Sequence, residues 1–169
     1  MILVTGATGF IGSHLAEALL ARGENVRALV RPTSSRRFLP RLDVICADLL
    51  TGAGIDEALV EVRTVFHLAG ATKALHARDF YTANVKATET LARRVAGKGI
   101  RLVHVSSLAA AGPSCPGAPI DEQAQPHPVT HYGKSKLEGE RIVRSLVPDA
   151  VIVRPPVVYG PRDTDVFQI

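Results

Sequence analysis

Tyr132 and Lys136 stand four residues apart in THYGKSKLEGERIV (130–143). On a helix this spacing puts a phenol and an ammonium on one face. A phenol titrates near about 10 and moves protons poorly at neutral pH, but a neighbouring positive charge favours its phenolate. Such a pair can pass a proton to or from a substrate oxygen, and the same ammonium can hydrogen-bond a ribose. A hydroxyl that could polarise that oxygen is offered by VHVSSLAAAG (103–112), where Ser106 and Ser107 end an apolar run. Taken alone, YxxxK fits any amphipathic helix and a serine pair fits any turn. Their weight comes from what precedes them in the chain.

TGATGFIGSHL (5–15) sets Gly6, Gly9 and Gly12 in GxxGxxG spacing between the apolar run ILVTG and a helical pattern. The glycines allow a tight turn and close backbone approach to a pyrophosphate. A helix start there offers free N–H groups and a positive dipole end. Thr8, Phe10 and Ile11 belong to the same candidate cradle. The glycine match is weak alone and strong between a strand and a helix. In a dinucleotide fold, an acid about 20 residues further on would bind the ribose 2′-hydroxyl of NAD. Here the chain reads LVRPTSSRR (29–37), with Arg31 at that place and Ser34, Ser35, Arg36 and Arg37 after it. A guanidinium fork suits a 2′-phosphate. The expected cofactor is therefore NADP, with Arg31 as first ligand and Arg36 or Arg37 as second. An arginine can also stack on adenine without a 2′-phosphate, which keeps NAD open, and a basic loop can simply be solvated. Asp48 in ADLL, with Leu49 beside it, is a candidate acceptor for the adenine amino group or else a helix cap. HLAGAT (67–72) supplies Leu68, Ala69 and Gly70, small enough in sum for a dinucleotide to pass close to the backbone. His67 reads as a core or loop histidine.

These groups need a scaffold, and the sequence alternates short β-branched runs with amphipathic stretches. Strands are predicted at 2–6, 25–30, 42–48, 64–70, 101–107 and 150–155, and helices near 11–22, 53–61, 79–97 and 130–146. The strands are apolar on both faces, as in a parallel sheet covered on both sides. The expected fold class is α/β, a Rossmann-type doubly wound parallel sheet. Right-handed crossovers would bring all strand C-termini, and hence every candidate above, to one edge. Residues 112–128 hold five of the eleven prolines and are predicted to be a loop bordering that edge.

Composition narrows the partners. The net charge of +4 is concentrated in residues 22–41, which carry six arginines against Glu24 alone. A local excess suits a small anion better than a nucleic-acid track, and no aromatic residues alternate with the arginines to stack bases. No nucleic-acid or membrane partner is expected. The first apolar run meets the glycine turn at once, and no uncharged apolar stretch nears the roughly 18 residues of a membrane span. Cys46 and Cys115 read as reduced thiols of a cytoplasmic protein. His127 and His131 have HxxxH spacing, but no second paired cysteine completes a zinc set, so no metal is expected.

TGATGFIG, HLAG, Asn84 in NVKATETL, the Ser106–Ser107 strand end, Tyr132-Gly133-Lys134-Ser135-Lys136 and RPPVVYGP (154–161) occur in that order. The chain resembles the extended short-chain dehydrogenase/reductase family, the NAD(P)-dependent epimerase/dehydratase group, over nearly its whole length. That resemblance implies an enzyme in which Tyr132 is the acid–base. Lys136 lowers its pKa and holds the nicotinamide ribose, and Ser107 positions the substrate hydroxyl or carbonyl. Asn84 supports the lysine, and Pro155 and Val158 lie along the nicotinamide. A hydride would pass between a small-molecule substrate and nicotinamide C4. It also implies a homodimer formed through the helices at 79–97 and 130–146.

Two departures qualify this picture. Sugar-nucleotide members often carry SSxxVYG where this chain has SSLAAAG, closer to the hydroxysteroid dehydrogenase and dihydroflavonol reductase side. The expected substrates are thus a nucleotide sugar or a steroid- or flavonol-like alcohol. The sequence also reads as one nucleotide-binding domain, 1–169, without most of the family's C-terminal substrate lobe. The alternative is a non-enzymatic dinucleotide sensor on the same fold, which would have no need of Tyr132 and Lys136.

Overall fold

The structure, a computed structural model, describes residues 1–115 and 117–164. Six parallel strands form one sheet: β1 (Ile2–Thr5), β2 (Val26–Val30), β3 (Asp43–Cys46), β4 (Thr64–His67), β5 (Arg101–Val105) and β6 (Val151–Val153). Their spatial order is β3-β2-β1-β4-β5-β6. The expected doubly wound sheet is present. Strand order reverses between β1 and β4, and that is where such sheets open a crevice for a ligand.

Register carries the candidate residues to this crevice. Thr5 of β1 lies beside Leu29 of β2 and His67 of β4, while His67 lies beside His104 of β5. The strand ends therefore line up along one edge. Alternation along β1 splits the core. Leu3 points to the layer formed by α2 (Ile55–Ala58), α4 (Ala87–Val95) and α5 (His131–Leu146). Ile2 and Val4 point to the opposite layer, where Leu15, Leu19 and Leu20 of α1 (Phe10–Ala21) pack. Residues one apart on a strand face opposite sides, so both faces must be apolar.

Most strands are one to three residues shorter than the sequence expectation, and three departures are larger or bear on the site. Strand β4 ends at His67, not at residue 70: the Leu68 N–H still donates to the Thr5 carbonyl, after which Ala69 and Gly70 leave the ladder and line the crevice. The helix expected at 53–61 shortens to Ile55–Ala58. It is hemmed by Gly52 and Gly54 at positive φ before it and by Glu61 (φ 60°) after it. The helix expected at 79–97 begins earlier and is not uniform. It comprises α3 (Ala77–Tyr81), a π-helical segment Thr82–Lys86 and then α4. A π turn widens a helix by one residue and is common where a side chain must be aimed at a site. Asn84 sits at its centre.

Candidate active site

The crevice is a cleft of about 1380 Å³ running along the C-terminal edge of the sheet. At one end is the glycine turn. Gly6 has φ +73°, and a Cβ there would stand 2.7 Å from the Ala69 nitrogen, so the turn and the β4 exit touch backbone to backbone. At Gly12 a Cβ would meet the Gly6 carbonyl oxygen at 2.1 Å. These two glycines let the first turn of α1 press against the turn before it. Helix α1 has no side-chain cap and no acid in its first turn. Its positive end is thus uncompensated where Gly9, Phe10, Ile11 and Gly12 line the cleft, as does Thr8. This is a fitting cradle for a pyrophosphate.

Beyond β2 the cleft is lined by Arg31 and Ser34, and beyond β3 by Asp48 and Leu49. Arg36 points elsewhere: its Nη2 donates to Cys46 Sγ at 3.3 Å, and it does not border the cleft. Arg37 lies over the Phe38 ring, 5.1 Å from its centroid. Asp48 does not cap α2, whose N-cap is Gly54. Its Oδ1 accepts instead from the Leu50 N–H at 2.7 Å, fixing a turn at the cleft wall.

At the other end, Ser107, Tyr132, Lys136 and Asn84 all line the cleft, with Leu68, Ala69 and Gly70 between them and the glycine turn, and Pro155 and Val158 on the far wall. Two glycines of α5 bring them together. A Cβ at Gly133 would stand 2.3 Å from the Ala109 carbonyl oxygen, so α5 lies against the 3₁₀ turn Leu108–Ala110 that follows Ser107. A Cβ at Gly139 would stand 2.9 Å from the Asn84 carbonyl oxygen, so the same helix lies against the π segment. Thr130 starts α5 by accepting from the Gly133 N–H at 3.0 Å. The Tyr132 ring packs on Phe80, with centroids 5.9 Å apart.

The serine pair divides its work. Ser106 is buried, and its hydroxyl donates to Glu140 Oε1 at 2.6 Å. Ser107 borders the cleft, and its Oγ accepts from the Ala109 N–H at 3.2 Å. Lys136 is buried and its ammonium donates to the Val105 carbonyl oxygen at 2.8 Å. Desolvation brings it down to about 8, partly opposed by the negative charge of Glu140 one turn further on. Asn84 makes a closed pair with one residue: Oδ1 accepts from the Ala71 N–H at 2.8 Å and Nδ2 donates to the Ala71 carbonyl at 3.0 Å. That reciprocity fixes its amide orientation. Nδ2 also donates to Ser135 Oγ at 3.0 Å, so Asn84 reaches the residue before Lys136 rather than the ammonium itself. Gly70 is required beside it, since a Cβ there would lie 2.6 Å from Asn84 Oδ1.

The profile of the NAD dependent epimerase/dehydratase family matches residues 2–168. The chain belongs to this family. Among individual members of the epimerase/dehydratase family, it is 36% identical over 167 residues to ceramide reductase of Caulobacter vibrioides, covering 98% of this chain and 48% of that protein. It is 36% identical over 173 residues to sterol demethylase protein B of Methylococcus capsulatus, covering 95% and 52%. Its structure superposes on UDP-glucuronic acid 4-epimerase from Bacillus cereus, solved with NAD, at a TM-score of 0.82 and 29% identity, over 96% of this chain and 58% of that one. The chain thus spans about half the length of the curated relatives it matches.

Several features of this epimerase/dehydratase site escaped the sequence reading. Arg154 grips Glu140 with Nε to Oε1 at 2.8 Å and Nη2 to Oε2 at 2.6 Å, beneath the lysine. His67 joins a buried chain. Thr5 donates to its Nδ1 at 2.7 Å, and its Nε2 donates to Thr88 Oγ1 at 3.0 Å, which in turn donates to the Asn84 carbonyl at 2.8 Å. His104 stacks on His67 at 5.3 Å between ring centroids, and neither of its ring nitrogens has a hydrogen-bond partner. Burial holds both imidazoles neutral, His67 down to about 3 and His104 to about 2. Among the described residues no three His, Cys, Asp or Glu side chains gather in a metal-binding group, and no helix is long and apolar enough to cross a membrane.

Proposed function

We propose that the chain is the nucleotide-binding domain of an NADP(H)-dependent oxidoreductase or epimerase/dehydratase, acting on a carbinol or carbonyl of a small-molecule substrate. One observation carries the reading: a single cleft joins the uncapped glycine turn and Arg31 at one end to Ser107, Tyr132 and Lys136 at the other. The first-turn N–H groups of α1 bind the pyrophosphate, and Arg31 with Ser34 binds the 2′-phosphate. When bound, the nicotinamide supplies or accepts the hydride.

The chain's own residues do the rest. Tyr132 holds or releases the proton at its phenolic oxygen. Lys136, one helical turn on, brings a positive charge to the same wall, and it holds the nicotinamide ribose. Ser107 hydrogen-bonds the substrate oxygen, while Ser106 is committed to Glu140. Asn84 keeps the Gly70–Ala71 exit of β4 and the Ser135–Lys136 turn of α5 in register. Pro155 and Val158 form the wall along the nicotinamide. The sterol demethylase protein B likeness supports a substrate on the steroid-like side, the ceramide reductase likeness a lipid substrate of another kind, and the UDP-glucuronic acid 4-epimerase likeness a nucleotide sugar. Pairing of two copies through the helices at 79–97 and 130–146 and a cytoplasmic setting belong to the same reading.

Calorimetric titration with NADPH and NADH tests the cofactor. Tighter NADPH binding, lost in Arg31→Gln with NADH binding retained, is the expected result. Equal affinity for both would remove the NADP assignment. Tyr132→Phe should keep the cofactor affinity and lose turnover; unchanged turnover would remove Tyr132 from the chemistry.

A further inference from the structure

The arginine cluster near β2 does not account for all the positive charge at the adenosine end of the cleft. After β6 the chain crosses back over the start of α1. The Pro161 carbonyl oxygen meets His14 Nε2 at 2.9 Å, and a Cβ at Gly160 would lie 3.8 Å from the Phe10 ring. Arg162 follows at φ +75°, a conformation unfavourable for a residue with a side chain. Its guanidinium donates to Ser13 Oγ at 3.2 Å and to Glu17 Oε1 at 2.8 Å. It also stands 5.6 Å from the centroid of Phe38, the ring that Arg37 approaches from 5.1 Å. Arg162, Phe38, Arg31 and Ser34 all line the cleft.

Two regions more than 120 residues apart in sequence therefore deliver cations to one corner. A guanidinium carries five N–H groups, and these two bonds use one on each terminal nitrogen. Glu17 bonds Arg162, and Asp48 and Asp163 also border the cleft; an anion shared between the arginines would favour their gathering further. We propose that Arg162 is a specificity-determining residue of the adenosine end, donating with Arg31 to the 2′-phosphate of the dinucleotide. Binding then ties the segment after β6 to α1. The inference rests on the NADP reading above and adds a ligand from the far side of the sheet.

The test uses the 169-residue chain with two probes, adenosine 2′,5′-bisphosphate and AMP, which differ only in the 2′-phosphate. Arg162→Gln should weaken the bisphosphate about tenfold and leave AMP within about twofold. Glu17→Gln should tighten the bisphosphate, because it frees the guanidinium from its competing carboxylate. Opposite signs are the signature. If Arg162 were only a latch on α1, both substitutions would loosen the same contact and weaken binding together. That result, or equal losses for both probes, would overturn the proposal. Loss of the preference in Arg31→Gln but not in Arg162→Gln would also overturn it while leaving the NADP reading intact. A native chain that binds both probes equally would remove the NADP reading and this inference with it. Should Arg162→Gln fail to fold, the sign of the Glu17→Gln effect decides alone.

Discussion

The Lys136 ammonium donates to the Val105 carbonyl oxygen at 2.8 Å, where β5 ends and the chain turns toward Ser107. That bond aims the side chain across the sheet edge while α5 holds its Cα. The residue is only 6% exposed, so an ion is kept where water is scarce. Function and stability oppose one another here. Burial brings the ammonium down from 10.5 to about 8. In the unfolded chain the group stays protonated to higher pH. Its contribution to stability is therefore complete only above the unfolded value and falls as pH drops toward 8.

Lys136→Met should accordingly fold more tightly than the native chain at pH 7, by roughly 1–3 kcal/mol, while losing cofactor affinity and turnover. Thermal melts at pH 7 check the first part and cofactor titration the second. A lower melting temperature would mean that the Val105 bond outweighs the desolvation of the charge.

The histidine stack makes a prediction about acid. His67 and His104 are neutral in the fold, at about 3 and about 2, and both would titrate near the ordinary 6.5 once unfolded. Between pH 6.5 and 3 the unfolded chain binds more protons, so stability is full above 6.5 and declines as pH falls. Protonating His67 would also destroy the acceptor that Thr5 uses. His104→Leu removes two buried nitrogens without partners, so it should not lower the melting temperature at pH 7, and it should make the acid decline shallower. A markedly lower midpoint at pH 7 would show that the imidazole is better satisfied than its geometry indicates.

Much of this could be read from the sequence, and the reason is local. The glycine turn, the strand before it and the helix after it lie within about twenty residues, and Tyr132 and Lys136 share one helix face. Short-range spacing is what sequence patterns report. What stayed hidden depends on pairs far apart. Ser106 and Glu140 are 34 residues apart, and nothing near Glu140 marks it as buried, since a glutamate on a helix rich in Lys and Arg looks solvated. Arg162 and Phe38 meet only because the chain after β6 crosses back over the start of α1. The π segment was missed because widening one turn leaves the apolar spacing of a helix nearly unchanged. The missing Cβ atoms of Gly133 and Gly139 are what let α5 reach the cleft, and no short-range pattern reports that.

Glu140 is the anchor beneath the site, and its removal should be costly. It is 1% exposed and accepts from Ser106 and from both nitrogens of the Arg154 fork. Breaking a buried pair from one side leaves the other charge uncompensated, typically about 3–5 kcal/mol. Arg154→Met should fall in that range, because the carboxylate it strands is the deeper partner. Glu140→Gln should cost less, because the amide still bonds Ser106 and Arg154 keeps partial access to water at 19% exposure. Denaturant unfolding of both variants tests the order; the reverse order would mean that Arg154, not Glu140, bears the burial penalty.

Gly133 offers the sharpest steric test. Its Cβ position lies 2.3 Å from the Ala109 carbonyl oxygen and 3.1 Å from Pro128 Cβ, so a methyl group there cannot be absorbed by a flexible side chain. Glycine inside a helix ordinarily costs about 1 kcal/mol relative to alanine, and an exposed helix would gain from the exchange. Here the gain is overruled. Gly133→Ala must push α5 away from the Leu108–Ala110 turn, carrying Tyr132 away from Ser107. Overpacking of this kind costs about 1–3 kcal/mol. The expected outcome is a destabilised chain that still binds AMP at the distant glycine turn but loses affinity for the nicotinamide half of the cofactor. Gly97→Ala is the control. Its Cβ would meet nothing within 4 Å, and only its φ of +72° opposes the change, so it should cost stability without altering cofactor binding. Equal effects of the two substitutions on nicotinamide binding would show that the close approach of α5 to Ala109 is not what sets the site.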